Sequence, residues 1–129
     1  MPKSYNYHKP SPDGLKKIAD LRADFSALDD LISGLKGEPF GNPVGVAVPL
    51  TLTNLDESRE KSLAKTNLET ASMWANRASF TRTVESRNRA VAVALTFLET
   101  AAMWAIKAVV VNDPESVVED PVKGEGPQS

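Results

Sequence analysis

The sequence predicts an all-α protein. It reads as a helical hairpin or small helical bundle with a duplicated signature helix, an extended N-terminal arm, an irregular or short-β insertion and a disordered C-terminal tail. Three observations carry that prediction. The stretch Arg59 to Ala78 (REKSLAKTNLETASMWANRA) returns thirty residues later as Arg89 to Ala108 (RAVAVALTFLETAAMWAIKA), with 11 of 20 positions identical and no gap. Neither copy contains Gly or Pro, and both are rich in Ala, Leu, Met, Glu and Lys or Arg, so each reads as a helix of about five turns. Upstream, Leu15, Ile18, Ala19, Leu21, Phe25, Leu28, Leu31 and Ile32 recur at helical spacing and mark a further helix.

Residues 1–12 carry Pro2, Pro10 and Pro12 among Tyr5, Tyr7 and His8. They read as an extended arm whose aromatics either stack on a ligand or pack on the first helix. The helical domain is expected over 13–110. Its first helix begins at Ser11 or Asp13, with Asp13 near the cap, and ends around Gly34 or Gly37. Lys16, Lys17 and Arg22 read as solvated charges on it. The insertion 34–57 (GLKGEPFGNPVGVAVPLTLTNLDE) breaks the helical period, and Pro49 interrupts the β-branched run Val44 to Thr53, leaving two short edge strands at most.

Asp56 and Ser58 offer a cap for the first repeat helix, expected to run to about Phe80. Thr81 to Ser86 joins the copies without Gly or Pro, and a turn there, rather than one continuous rod, gives an antiparallel pair. Where the first copy has Lys61, Lys65, Asn67 and Asn76, the second has Val91, Leu95, Phe97 and Ile106. A helix apolar on nearly all sides needs cover, which predicts a homo-oligomer with the second repeat at its centre. Residues 111–129 are acidic and contain three prolines, the composition of a disordered tail.

Length and composition bound the function. A chain of 129 residues suits one domain. It has no cysteine and a single histidine, His8, which removes disulfides, thiolate metal sites and multi-histidine sites. No apolar run was expected to reach a membrane span, and the N-terminus lacks a signal-peptide core, so a soluble, intracellular protein is expected. The net charge of −2 is uneven: +2 over 1–24, −4 over 25–57, +2 over 58–85, +2 over 86–110 and −4 over 111–129. The basic repeats suit small anions, whereas long nucleic acid calls for a stronger field. No phosphate loop, paired metal ligands or nucleophile elbow is present. Glu69 and Glu99 occupy equal places in the copies but read as helix-spaced partners of Lys or Arg, so no catalysis and no cofactor are expected.

Placed at about 100° per residue, the first copy shows two faces. Leu63, Ala64, Asn67, Leu68, Ala71, Trp74, Ala75 and Ala78 form a packing face. Arg59, Thr66, Thr70, Met73 and Arg77 form a second, narrow stripe, matched in the second copy by Arg89, Thr96, Thr100, Met103 and Lys107. Such a stripe is either an interface or an anion-binding row, since guanidinium forks and hydroxyls are good phosphate partners.

The segment Ser58 to Asn76 (SREKSLAKTNLETASMWAN) closely resembles the SRExSLAxTKLEEAxMWAN signature of a phage family of helical-hairpin proteins, the anti-CBASS and anti-Thoeris sponges. Tyr7-His8-Lys9-Pro10, followed by a helix with Arg22, Leu28 and Ile32, is similar to the segment preceding that signature. The resemblance implies that the protein sequesters cyclic di- or trinucleotides, or cyclic ADP-ribose isomers, without cleaving them. It implies homo-hexamers with ligand between protomers, acting in the bacterial host cytoplasm during infection. It also implies an arm tyrosine stacking on a base, here Tyr7, and a helix-one cation on phosphate, here Arg22. Arg82 is the candidate cation for a separate pocket that takes larger cyclic trinucleotides. The alternative function is a non-catalytic oligomeric module whose insertion or tail contacts a protein.

Overall fold

The computed structural model describes residues 7–36, 46–113 and 117–119. In chain order it contains β1 (Tyr7–Lys9), α1 (Pro12–Ser33), α2 (Leu50–Thr53), α3 (Arg59–Ser79), α4 (Val84–Asn112) and β2 (Val117–Glu119). The helical hairpin is α3 and α4, the two copies, which pack along each other. α1 lies against α4, starting beside its C-terminal end and reaching Leu98 by Phe25.

Each of the three long helices starts where a side chain accepts from one of its first free amides. Ser11, not Asp13, caps α1: its Oγ accepts from Gly14 N at 3.1 Å, and Pro12 takes the first turn. Ser58 caps α3 by accepting from Lys61 N at 3.1 Å, and Thr83 caps α4 by accepting from Ser86 N at 3.2 Å. α1 stops at Gly34, and α3 stops at Phe80.

The copies are joined by a turn, Phe80 to Thr83, and polar chemistry replaces Gly and Pro in it. Thr81 Oγ1 donates to Arg77 O at 2.7 Å, and Arg87, 4% exposed, donates from Nη2 to Thr81 O at 2.8 Å. The hairpin seam is built mostly of alanine. Ala64, Leu68, Ala71, Ala75 and Ala78 of α3 and Ala94, Leu98, Ala101, Ala105 and Ala108 of α4 are all buried, and such small side chains let two backbones approach closely. Between Lys61–Ser79 and Val91–Val109 the burial class agrees at 18 of 19 matched positions. The hairpin therefore has an internal pseudo-twofold, which α1 breaks by covering α4.

That cover explains the unequal copies. Val91, Leu95, Ala102 and Ile106 fall within a sector of about 60° on α4, and Ala102 lines the groove where α1 sits. Val91 is fully buried, and Leu95, Phe97 and Ile106 are half-buried. The chain's own α1 thus supplies part of the cover expected from other chains. On α1 itself Ile18, Leu21, Phe25 and Ile32 face the core, whereas Leu15 and Leu31 are 56% and 44% exposed. Lys16 and Lys17 lie in exposed pairs with Asp20 and Asp13, one helical turn away.

Three expectations are corrected. The described part of the insertion, 46–57, holds no strand; Pro49, extended at φ −63° and ψ 144°, is instead the N-cap residue directly before the short helix α2. Residues 37–45 of the insertion lie outside the described residues. Within the tail expected to be disordered, Val111 and Asn112 complete α4, and Val117–Glu119 pair antiparallel with the arm, in the register Tyr7↔Glu119, His8↔Val118 and Lys9↔Val117. Val117 and Val118 are β-branched and meet an already extended edge. The rest of the tail lies outside the described residues, as do residues 1–6. Finally, α4 is long and apolar enough to cross a membrane by length and composition; isolated charges such as Glu99 break its apolar runs but not its average. In this fold its seam packs on α3.

Two polar clamps tie the hairpin to the rest. Lys61, 4% exposed, donates from Nζ to Thr53 O at 2.9 Å, Leu55 O at 2.8 Å and Glu57 Oε2 at 2.9 Å, holding the end of the insertion on α3. That ammonium keeps the Glu57 carboxyl below its ordinary value, first by the hydrogen bond and then by charge. At the same open end of the hairpin, Asp113 Oδ2 accepts from Ser11 N at 3.0 Å and Ser11 Oγ at 2.7 Å, joining α4 to the α1 cap.

Candidate functional site

The stripe lies outside the seam. Arg59, Thr66, Met73 and Arg77 are exposed and Thr70 is half-buried. Counted from Ala64 at about 100° per residue, the seam centres within about 20° of zero and the stripe near 210°. The two seams face each other, so the α3 and α4 stripes look out on opposite sides of the hairpin.

The stripe is not a single small-molecule site. From Arg59 to Arg77 the helix rises about 27 Å, so one small ligand reaches only one end. The end with a distinct local arrangement is the C-terminal one, with Thr70, Met73, Trp74 and Arg77 inside about 10 Å of axial rise. Arg77 Cζ sits 4.9 Å from the centroid of the half-buried Trp74 ring, within cation–π range. Met73 beside it is 58% exposed. Trp74, which the sequence places on the packing face, does pack against the core and joins this group through the cation over its ring; its position one residue from Met73 in both copies is the sequence signal for that second role.

The threonines have a narrower role than their sequence suggested. Thr70 Oγ1 donates to Thr66 O at 3.1 Å, so its proton is spent on the helix and its lone pairs face outward as acceptors. It suits a ligand hydroxyl or amine, while phosphate is left to the arginines. Arg77 offers a planar fork at the helix C-terminal turn. Thr66 and Arg59 share the face but sit further toward the N-terminus.

The remaining candidates fall elsewhere. Arg22 is exposed on α1 and lines a groove of about 250 Å³ with Phe25, Ser26, Asp29, Leu98, Glu99 and Ala102. It thus neighbours the second copy rather than the first. Tyr7 lies in β1, paired with Glu119, and Arg22 is eleven residues along from the α1 cap at Ser11, about 16 Å of helix rise. Arg82 is exposed in the turn between α3 and α4. One chain therefore brings Thr70 and Arg77 together with Trp74, and places Tyr7, Arg22, Arg59 and Arg82 at separate points. Among the described residues no His, Asp or Glu group is arranged to hold a metal.

The comparisons with known proteins bear on residues 2–80, which match the model of the Acb2/Tad1 hairpin domain. No curated protein and no solved structure matches the chain. The matched span contains the arm, α1 and the whole of α3, whereas α4 lies beyond it. With well over half of its length matched, the chain belongs to the Acb2/Tad1 hairpin-domain family, the anti-CBASS and anti-Thoeris sponges.

Proposed function

We propose that the protein sequesters a signal of bacterial anti-phage defence, a cyclic di- or trinucleotide or a cyclic ADP-ribose isomer, without cleaving it. It is read as phage-encoded and acting in the bacterial host cytoplasm, with no membrane and no long nucleic acid as partner. The observation that carries the reading is the group of exposed Met73 and Arg77 with half-buried Thr70 and Trp74, inside the family-matched span. It supplies a ring to stack on, an acceptor and a guanidinium.

The outward direction of the stripe supports assembly. A group on one convex helix face encloses nothing alone, and a small ligand is held tightly only when most of its surface is covered. A neighbouring chain would provide that cover, bringing its Tyr7 arm or Arg22 toward the stripe, in a homo-oligomer of six chains as the resemblance implies. Exposed Met73, Phe80, Val84 and Met103, each more than half accessible, are apolar surface for such contacts.

A thermal-shift panel of cyclic di-AMP, cyclic tri-AMP, cyclic di-GMP and cyclic ADP-ribose tests the reading, with recovered ligand checked for integrity by mass spectrometry. Stabilisation by one class, with intact ligand recovered, is the expected result. Stabilisation by none, on folded protein, would move the reading to the protein-binding module.

A further inference from the structure

We propose that α4 carries a second ligand site, equivalent to that on α3 and for the same class of ligand: a phosphate-bearing molecule with a flat base. The inference rests on the proposed function. The second copy lies outside the family-matched span, so its role follows from its own geometry.

That geometry repeats side chain by side chain. Lys107 Nζ lies 5.1 Å from the Trp104 ring centroid, as Arg77 Cζ lies 4.9 Å from Trp74. Met103 is 56% exposed against 58% for Met73. Thr100 Oγ1 donates to Thr96 O at 3.2 Å, as Thr70 does to Thr66 at 3.1 Å. Trp104, like Trp74, is half-buried. Both tryptophans pack one side against the core, and each carries a cation over its ring. The flank that α1 covers changed in character, from Lys61, Lys65 and Asn76 to Val91, Leu95 and Ile106, while this outward group kept Thr, Met and Trp and exchanged only one cation for another, Arg77 for Lys107.

The stripes look out on opposite sides of the hairpin, so they cannot share one ligand within a chain. Each chain is therefore divalent. The α4 site is the weaker of the two, because a lysine ammonium presents a point charge where Arg77 presents a fork that can bind phosphate through two bonds.

Each tryptophan reports its own face, which gives the test. Full-length Trp74→Phe leaves Trp104 as the reporter, and Trp104→Phe leaves Trp74. Both are titrated with cyclic di-AMP, cyclic tri-AMP and cyclic ADP-ribose, alone and combined with Lys107→Ala or Arg77→Ala. The expected result is a saturable emission change from each tryptophan with the same ligand. The Trp104 signal should be lost with Lys107→Ala and kept with Arg77→Ala, and the reverse should hold for Trp74. A responding Trp74 beside a silent Trp104, with Lys107→Ala without effect, overturns the second site and leaves the proposed function standing. Silence of both, together with no thermal shift of the wild type, overturns the two together.

Discussion

Replacing Lys61 by valine, the residue at the matched position of the second copy, tests how the insertion is held. The wild-type ammonium is buried and satisfies two backbone carbonyls, Thr53 O and Leu55 O, besides Glu57. The Glu57 pair adds little, because its side chain is 86% exposed and water screens it. The two charge-assisted bonds to carbonyls dominate. Losing them costs about 1.5–3 kcal/mol each in isolation, but partial rehydration of the carbonyls and the gain from a buried valine offset part of it. The net loss is about 2–3 kcal/mol, which lowers Tm by about 8–15 °C for a domain of this size. Calorimetry measures this, and hydrogen exchange should show faster exchange confined to 46–57 while the α3–α4 seam stays protected. A Tm within about 2 °C of wild type, or loosening of the seam instead, would refute the clamp.

Three further perturbations follow from particular contacts. A Cβ on Gly14 would lie 2.5 Å from Asp113 Oδ2, so Gly14→Ala should break the Ser11 latch and cost about 1–2 kcal/mol after its gain in helix propensity, read by denaturant unfolding. Ala71→Leu together with Ala101→Leu should overfill the buried seam and destabilise by at least about 2 kcal/mol, whereas Leu at exposed Ala92 should be near neutral in the same assay. The Lys61 ammonium holds the Glu57 carboxyl below the ordinary glutamate range, so its contribution is fully present above that range and is lost as pH falls through the lowered folded pKa. Acid titration of wild type against Glu57→Gln should show that small component, and the variant should lack it.

Much of the fold was legible because the repeat acts as an internal alignment. Two copies of one helix predicted the helical pair and favoured a turn between them, but a join without Gly or Pro left a continuous helix open, and the polar contacts of Thr81 and Arg87 decide for the turn. Ser58 marked the start of α3 through ordinary capping chemistry, and the glycines at 34 and 37 marked the region where α1 ends. What escaped was context. Lys61 reads as surface by type, yet its partner position is Val91, and that pairing was the available sign of a buried site. Pro49 was read as a broken strand because a proline that ends one element also starts another. Leu15 and Leu31 fit the helical period but fall off the face that α4 covers. The site was legible only as a stripe. Its grouping around Trp74 and Arg77 depends on a ring and a cation meeting across one helical turn, and the commitment of the threonine hydroxyl to the backbone depends on a rotamer. Sequence spacing specifies neither.

The central claim, that this chain holds a cyclic nucleotide signal, is tested most directly by isothermal titration of the full-length protein with the cyclic nucleotides of the thermal-shift panel. Saturable binding of one class is predicted, weakened at least tenfold by Arg77→Ala combined with Lys107→Ala, a loss of about 1.4 kcal/mol or more. A folded protein that binds none of them, or one whose binding is indifferent to both cations, would contradict the account.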